Sequence, residues 1–93
     1  MHVGMLQVHC HVPDARSLKD KRRILRGLMD RVRAQFAVAA AEVDDQDVWQ
    51  SAVLGFACVS NDTRHAAAVM TKVLDWVRDC PAVTLVDHEL ETI

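Results

Sequence analysis

The hydrophobic pattern of this chain switches between two periods, and the order of the switches strongly limits the folds it can adopt. A period of two residues is typical of a half-buried strand, and a period near 3.6 residues is typical of an amphipathic helix. The pattern predicts strands at residues 3–12, 38–43, 51–59 and 83–90, and helices at residues 18–35 and from about residue 63 to Pro81. The predicted order is therefore β-α-β-β-α-β.

A chain of 93 residues has room for one two-layer core, so we expect a single domain over residues 1–93. The order of elements predicts an α+β, ferredoxin-like sandwich, in which an antiparallel sheet with strand order 4-1-3-2 carries both helices on one face. Right-handed crossovers then bring two segments to the same end of the molecule. These are "SLKDKRR" at residues 17–23 and "DDQDVWQ" at residues 44–50.

Charge is distributed unevenly along the sequence. Residues 1–36 hold eight Lys and Arg against three Asp, a net charge of +5, whereas residues 37–93 carry a net charge of −7. Several of the cations follow Ser17, the predicted N-cap of the first helix. This is unexpected, because a cation in the first turn interacts unfavourably with the helix dipole and lowers helix stability by about 0.3 to 1 kcal/mol. This arrangement indicates a basic face and favours an anionic partner.

The outer face of the first helix is the candidate for that partner. Arg side chains match phosphate oxygens, and helix N-termini attract anions. The alternative is a solvated helix face with no partner, which every amphipathic helix has. The predicted nucleic-acid-binding residues are Lys19, Arg22, Arg23, Arg26 and Arg33.

A second cluster is predicted at the shared end of the molecule, where it serves either as a structural contact or as a ligand site. Lys21 lies on the apolar side of the helix, so we expect its ammonium to form a salt bridge with Asp44, Asp45 or Asp47. Trp49 is expected to close the end of the core or to offer an aromatic platform. The complete predicted cluster is Ser17, Lys21, Asp44, Asp47, Trp49 and Gln50.

Metal, cofactor and catalytic motifs are weak. His9 and His11 share one face of the first strand, but two ligands do not make a site, so neither a metal nor a cofactor is predicted. No catalytic signature is present, and a small enzyme would need His11, Lys21 and Asp47 in one pocket. The three cysteines form no CxxC pair, and no signal peptide or membrane span is evident, so a cytoplasmic protein without membrane contact is expected.

Four stretches together resemble the YlxP-like proteins, small bacterial proteins grouped as domain of unknown function 503. The stretches are "VG.L.V..HVP.A.SLK.KR" from Val3, "AEVD.QD.WQ" from Ala41, "LG.A.VSND" from Leu54 and "LVDHELE" from Leu85. The resemblance implies a ferredoxin-like fold and no established activity. It also implies work near the ribosome, because genes of this family often adjoin those of translation and ribosome-binding factors.

The sequence leaves three functional hypotheses. The leading one is a non-enzymatic accessory module that binds ribosomal RNA or a ribosomal subunit through the first helix, with no DNA specificity. The second is a homo-oligomeric regulatory or scaffolding domain, such as a homodimer, because the strand "VAAAEV" at residues 38–43 is suited to edge pairing. The third is a small enzyme with its site at the shared end.

Overall fold

The computed structural model describes residues 1–93 and confirms the predicted order of elements. The elements are β1 (His2–His11), α1 (Leu18–Phe36), β2 (Ala39–Asp44), β3 (Ser51–Ser60), α2 (Thr63–Asp79) and β4 (Thr84–Thr92). The four strands form one antiparallel sheet in the order β2-β3-β1-β4, which is the predicted order viewed from the opposite edge. The molecule is the expected ferredoxin-like α+β sandwich.

The central strand β1 separates the two faces of the sheet as its alternation predicts. Leu6, Val8 and Cys10 are buried beneath the helices, while Gln7 and His11 are exposed on the opposite side. The core lies between the sheet and both helices, with α2 packed over β1, β3 and β4 and α1 packed over β2. The other face of the sheet has no layer covering it.

Capping side chains fix where the helices begin and end. The Ser17 hydroxyl accepts the amide N–H of Asp20 at 3.1 Å, and the Asp62 carboxylate accepts the amide N–H of Arg64 at 2.9 Å. Such side-chain acceptors satisfy amides that have no partner within the helix. At the other end of α1, Ala37 takes a left-handed conformation with φ of 54° and closes the helix.

Some predicted details differ from the structure. Strand β4 continues to Thr92 because its end pairs with Gly4 of the long central strand. Ala66 is the fully buried alanine of α2.

Neither helix combines the length and the apolar character that crossing a lipid bilayer requires.

Candidate functional site

The Lys21 side chain joins α1 to the connection between β2 and β3. Its side chain is fully buried, and its ammonium donates hydrogen bonds to the main-chain carbonyls of Asp45 at 2.7 Å, Gln46 at 3.3 Å and Ser51 at 3.1 Å. Oε2 of Glu42 lies 2.8 Å from the same nitrogen. An ammonium has three protons, and the three carbonyls account for them, so Glu42 supplies the compensating charge.

The predicted salt bridge of Lys21 therefore has a different carboxylate. Neither Asp44 nor Asp47 contacts the ammonium, and Asp45 contributes its carbonyl rather than its side chain. The alternation of β2 turns Glu42 toward the helices, and the irregularity between Glu42 and Asp44 breaks this alternation, so that Asp44 pairs with Val53 on the other face of the sheet. Lys21 acts as a structural pin for the loop, and its buried ammonium is not available to a ligand.

The other predicted members of the end cluster have separate positions. Gln50 has a structural role. Its side-chain amide donates to the main-chain carbonyl of Ala15 at 3.3 Å, and its main-chain carbonyl accepts the amide N–H of Val12 at 2.9 Å. Asp44 accepts the amide N–H of Asp45 and orients the turn. Asp47 and Trp49 are exposed, and Trp49 keeps 48% of its surface in contact with solvent. The cluster does not form a common pocket.

A chain of polar side chains that the sequence analysis missed lies beside this loop. The Ser51 hydroxyl donates to Oδ2 of Asp45 at 2.9 Å, and Nε2 of His9 lies 2.9 Å from the same hydroxyl. The hydroxyl has one proton and gives it to Asp45, so the Nε2–H of His9 is the donor in the second contact. In a hydrolytic triad the histidine instead accepts the serine proton, so this chain positions the loop and does not activate Ser51.

The structure does not assemble the groups that an enzyme or metal site at this end would use. Lys21 is enclosed by carbonyls, whereas His11 and Asp47 are exposed, and their side chains take part in no hydrogen bond or ion pair. No three His, Cys, Asp or Glu side chains lie close enough together to hold a metal ion. The pocket that the enzyme hypothesis requires is therefore not formed by these three residues.

The outer side of the first half of α1 carries four exposed cations, which we call the basic surface: Lys19, Arg22, Arg23 and Arg26. Three of them have no carboxylate within ion-pair distance, and Arg23 lies 3.7 Å from Asp20. An exposed pair at that distance contributes little binding energy and leaves the guanidinium free for another anion. These four cations therefore occupy one continuous surface over two turns of the helix.

Arg33 differs from the other predicted cations because its guanidinium is already bound within the protein. It donates to Oδ1 of Asp30 at 3.0 Å and to the carbonyl of Ala40 at 2.6 Å. The second bond covers an acceptor on the outer edge of β2. Arg33 thus links the end of α1 to the edge strand, and the sequence missed this role because the distance from α1 to β2 depends on packing.

A groove of about 420 Å³ separates α1 from the β2 edge. Arg22, Arg26 and Arg33 line it together with Asp30 and Glu42, and two apolar side chains complete the lining. The basic surface therefore continues from the exposed side of the helix into a concave strip, where guanidinium groups can approach an anion from more than one side.

The uncovered side of the sheet contains an apolar trough of about 430 Å³, which the sequence analysis also missed. Its depth comes from small residues that the strand register places side by side: Ala41 lies opposite Gly55, and Ala39 lies opposite Ala57. Glu89 and Glu91 of β4 line the opposite side. The signal was present as "AAA" and "GFA", but only the register shows that the two segments are neighbours.

The aromatic side chains do not form a base-stacking surface. Phe56 belongs to the buried face of the sheet and is 3% exposed. Trp49 lies beyond the sheet in the loop. Trp76 of α2 lies under the guanidinium of Arg31, whose Cζ is 5.8 Å from the centroid of the indole ring. Modules that read single-stranded RNA on such a sheet stack bases on strand aromatics, and this face offers none.

Comparison with known proteins gives consistent results over nearly the whole chain. Residues 3–90 match the family described as "Protein of unknown function (DUF503)". The chain is also 32% identical over 81 residues to the uncharacterized protein YlxP of Bacillus subtilis (strain 168), a match that covers 87% of this chain and 88% of that protein. Both matches include α1 and the β2–β3 connection.

Proposed function

This chain belongs to the DUF503 family of proteins of unknown function, and from that premise we propose that it is a non-enzymatic, cytoplasmic accessory module that binds ribosomal RNA or a ribosomal subunit. The basic surface of α1 makes the contacts. The observation that carries the proposal is that Lys19, Arg22 and Arg26 are exposed and have no internal counterion. Such free cations can displace the counterions that are condensed on a phosphate backbone.

The fixed geometry of α1 supports phosphate contacts rather than base recognition. Arg22 and Arg26 are four residues apart, so they lie on the same side of the helix and reach successive parts of one groove. The acidic, aromatic-free open face of the sheet gives no platform for stacked bases. The proposed binding therefore follows backbone shape and charge, and carries no DNA sequence specificity.

Salt-dependent binding tests the proposal. The protein is sedimented with purified ribosomal subunits, and titrated with a ribosomal RNA fragment, at increasing salt concentrations. We expect affinity to fall steeply with salt, and the variant Arg22→Ala/Arg26→Ala to lower the slope of log K against log salt by about 0.7 to 0.9 per lost phosphate contact.

The matched control removes two cations from α2 instead. Arg64 and Lys72 are exposed and form no ion pair, so Arg64→Ala/Lys72→Ala changes net charge equally without touching the basic surface. We expect this control to bind nearly as the wild type does. The proposal fails if both double variants lose the same affinity, or if subunits and RNA bind no better than an uncharged polymer at low salt.

A homodimer formed through β2 is the second candidate, and it rests on the free edge of the sheet. Strand β2 is paired on one side only. The Arg33 guanidinium covers the Ala40 carbonyl, but the small exposed side chains of Ala39 and Ala41 add no bulk or charge that would block the rest of this edge. Unprotected edges pair readily with another strand. Light scattering over a range of protein concentrations tests this candidate, and a constant monomer mass would exclude it.

A further inference from the structure

We propose that the open face of the sheet is a docking site for an amphipathic protein segment that carries Lys or Arg beside its apolar residues. This site lies on the opposite side of the sheet from α1, so the proposal goes beyond RNA binding and does not depend on it. It rests on the shape of the trough, on the charge along its rim and on the absence of cations from the sheet.

The shape of the trough suits an inserted apolar side chain. Ala41, Gly55 and Ala57 line it together with Met5 of the central strand, and the side chain of Val43 packs against Gly55. The volume of about 430 Å³ accommodates several aliphatic side chains. Removing apolar surface from water at this site favours a complex.

The rim of the trough has one sign of charge. Glu89 lies opposite Gln7 and Glu91 lies opposite Met5. Both carboxylates are therefore on the open face of the sheet, beside the two residues of β1 that line the trough. Both are exposed, and neither has a cation within ion-pair distance. The four strands contain no Lys or Arg at all, because every such residue belongs to a helix or to the segment that precedes α1. The partner must therefore supply the cations.

This charge pattern separates the proposed partner from the alternatives. Nucleic acid would bring phosphates toward Glu89 and Glu91, which repel them. A second copy docking through the same face would bury the glutamates without any cation, and desolvating unpaired carboxylates is strongly unfavourable. A second copy offering its cations would have to present its helices, whose apolar sides are buried in its own core.

The probe for the experiment is a short synthetic Leu/Lys peptide whose leucines occupy one helical face. It is titrated into the full-length protein while backbone amide resonances are followed by NMR. We expect the amide resonances of Met5, Gly55 and Ala57 to change in chemical shift, and those of the basic surface to stay unchanged. A Leu/Glu peptide of the same pattern and a lysine peptide without leucine are expected not to bind.

Two charge variants provide the decisive comparison. Glu89→Gln/Glu91→Gln should weaken binding of the Leu/Lys peptide about fivefold, the effect of losing two exposed ion pairs. Asp14→Asn/Asp79→Asn removes the same charge from exposed positions away from the sheet and should leave affinity unchanged. Equal affinity in both variants would overturn the proposal, as would equal binding of the Leu/Glu peptide.

Two further outcomes would replace the proposed partner. If the same resonances move with protein concentration alone, a second copy occupies the trough. If a ribosomal RNA fragment moves them, the face binds nucleic acid. Both results would overturn the peptide proposal, and neither would affect the test of the basic surface, which is read from resonances of α1 and from the Arg22 and Arg26 variants.

Discussion

Nζ of Lys21 lies 2.8 Å from Oε2 of Glu42, and this pair is the buried ionic contact between α1 and the sheet. The lysine side chain is fully buried and the glutamate side chain is 15% exposed. Because the carbonyls of Asp45 and Gln46 in the loop and of Ser51 at the start of β3 bind the same ammonium, one side chain joins the first helix, the edge strand, the loop and the next strand.

Lys21→Met should destabilise the protein by about 3 to 5 kcal/mol, the usual cost of leaving one member of a buried ion pair without its partner. The change keeps most of the side-chain volume but strands the Glu42 carboxylate. Urea denaturation measures the loss, and hydrogen exchange should accelerate at the amides between Asp45 and Ser51. The exposed neighbour provides a control, since Lys19→Met should change stability by less than about 0.5 kcal/mol. Similar losses in both variants would contradict the role assigned to Lys21.

Arg33→Ala should increase pairing at the β2 edge. The variant loses the bond from the guanidinium to the Ala40 carbonyl at 2.6 Å and exposes that acceptor. We expect stability to fall by about 0.5 to 1.5 kcal/mol and self-association to rise with concentration, because an uncovered edge acceptor is a site for strand addition. Unfolding by urea and light scattering measure the two effects. Arg64→Ala is the control, and equal self-association in both variants would count against edge protection by Arg33.

Local periodicity was sufficient to predict the order of elements and the position of Lys21 on the apolar side of α1, but not the complete burial of its side chain. Strand and helix periods differ enough to be distinguished in one sequence, and the azimuth of Lys21 on α1 follows from 100° per residue. Its partner was missed because Glu42 and the aspartates at positions 44, 45 and 47 lie within a few residues of one another in the sequence, and spacing alone does not distinguish them. Which of them faces the helices depends on the pleat of β2 and on the irregularity between Glu42 and Asp44.

Features that require pairing between distant strands were not predicted. The trough exists because the register sets Ala41 against Gly55, and the loop contact exists because His9 comes within 2.9 Å of Ser51. Neither relationship has a signature within a single segment. The cations of α1 were predictable as a surface, whereas the engagement of Arg33 with Ala40 depends on how closely the helix approaches β2.

The protein should lose stability at high pH through Cys10. Burial raises the pKa of this thiol to about 11 from the ordinary value of 9.0, and the neighbouring Cys80 adds to the increase. The folded state therefore holds the proton more tightly than the unfolded state. The contribution of the protonated thiol to the free energy of unfolding is complete below pH 9.0 and is lost as pH rises toward about 11. Urea denaturation at several pH values checks this. Cys10→Ala should show a shallower decline, and an unchanged decline would contradict the assignment.

The same thiol should resist alkylation in the native state. Thiolate is the reactive form, and the high pKa of Cys10 keeps it protonated where an ordinary cysteine begins to ionise. Cys58 is half-buried and should react with iodoacetamide first, while Cys10 should react only as the protein unfolds. Mass spectrometry of peptides after timed alkylation gives the order. Early modification of Cys10 in folded protein would show that its environment is open.

Gly4→Ala and Gly27→Ala should have opposite effects on stability, although the chemical change is the same. A Cβ at Gly4 would lie 2.9 Å from the Ala66 carbonyl oxygen and 3.0 Å from Cγ of Met70, so overpacking should cost about 1 to 3 kcal/mol. A Cβ at Gly27 has only Arg31 at 4.0 Å, and removing a glycine from a helix interior should add about 0.5 to 1 kcal/mol. Thermal unfolding measures both, and shifts of the same sign would refute the packing difference between β1 and α1.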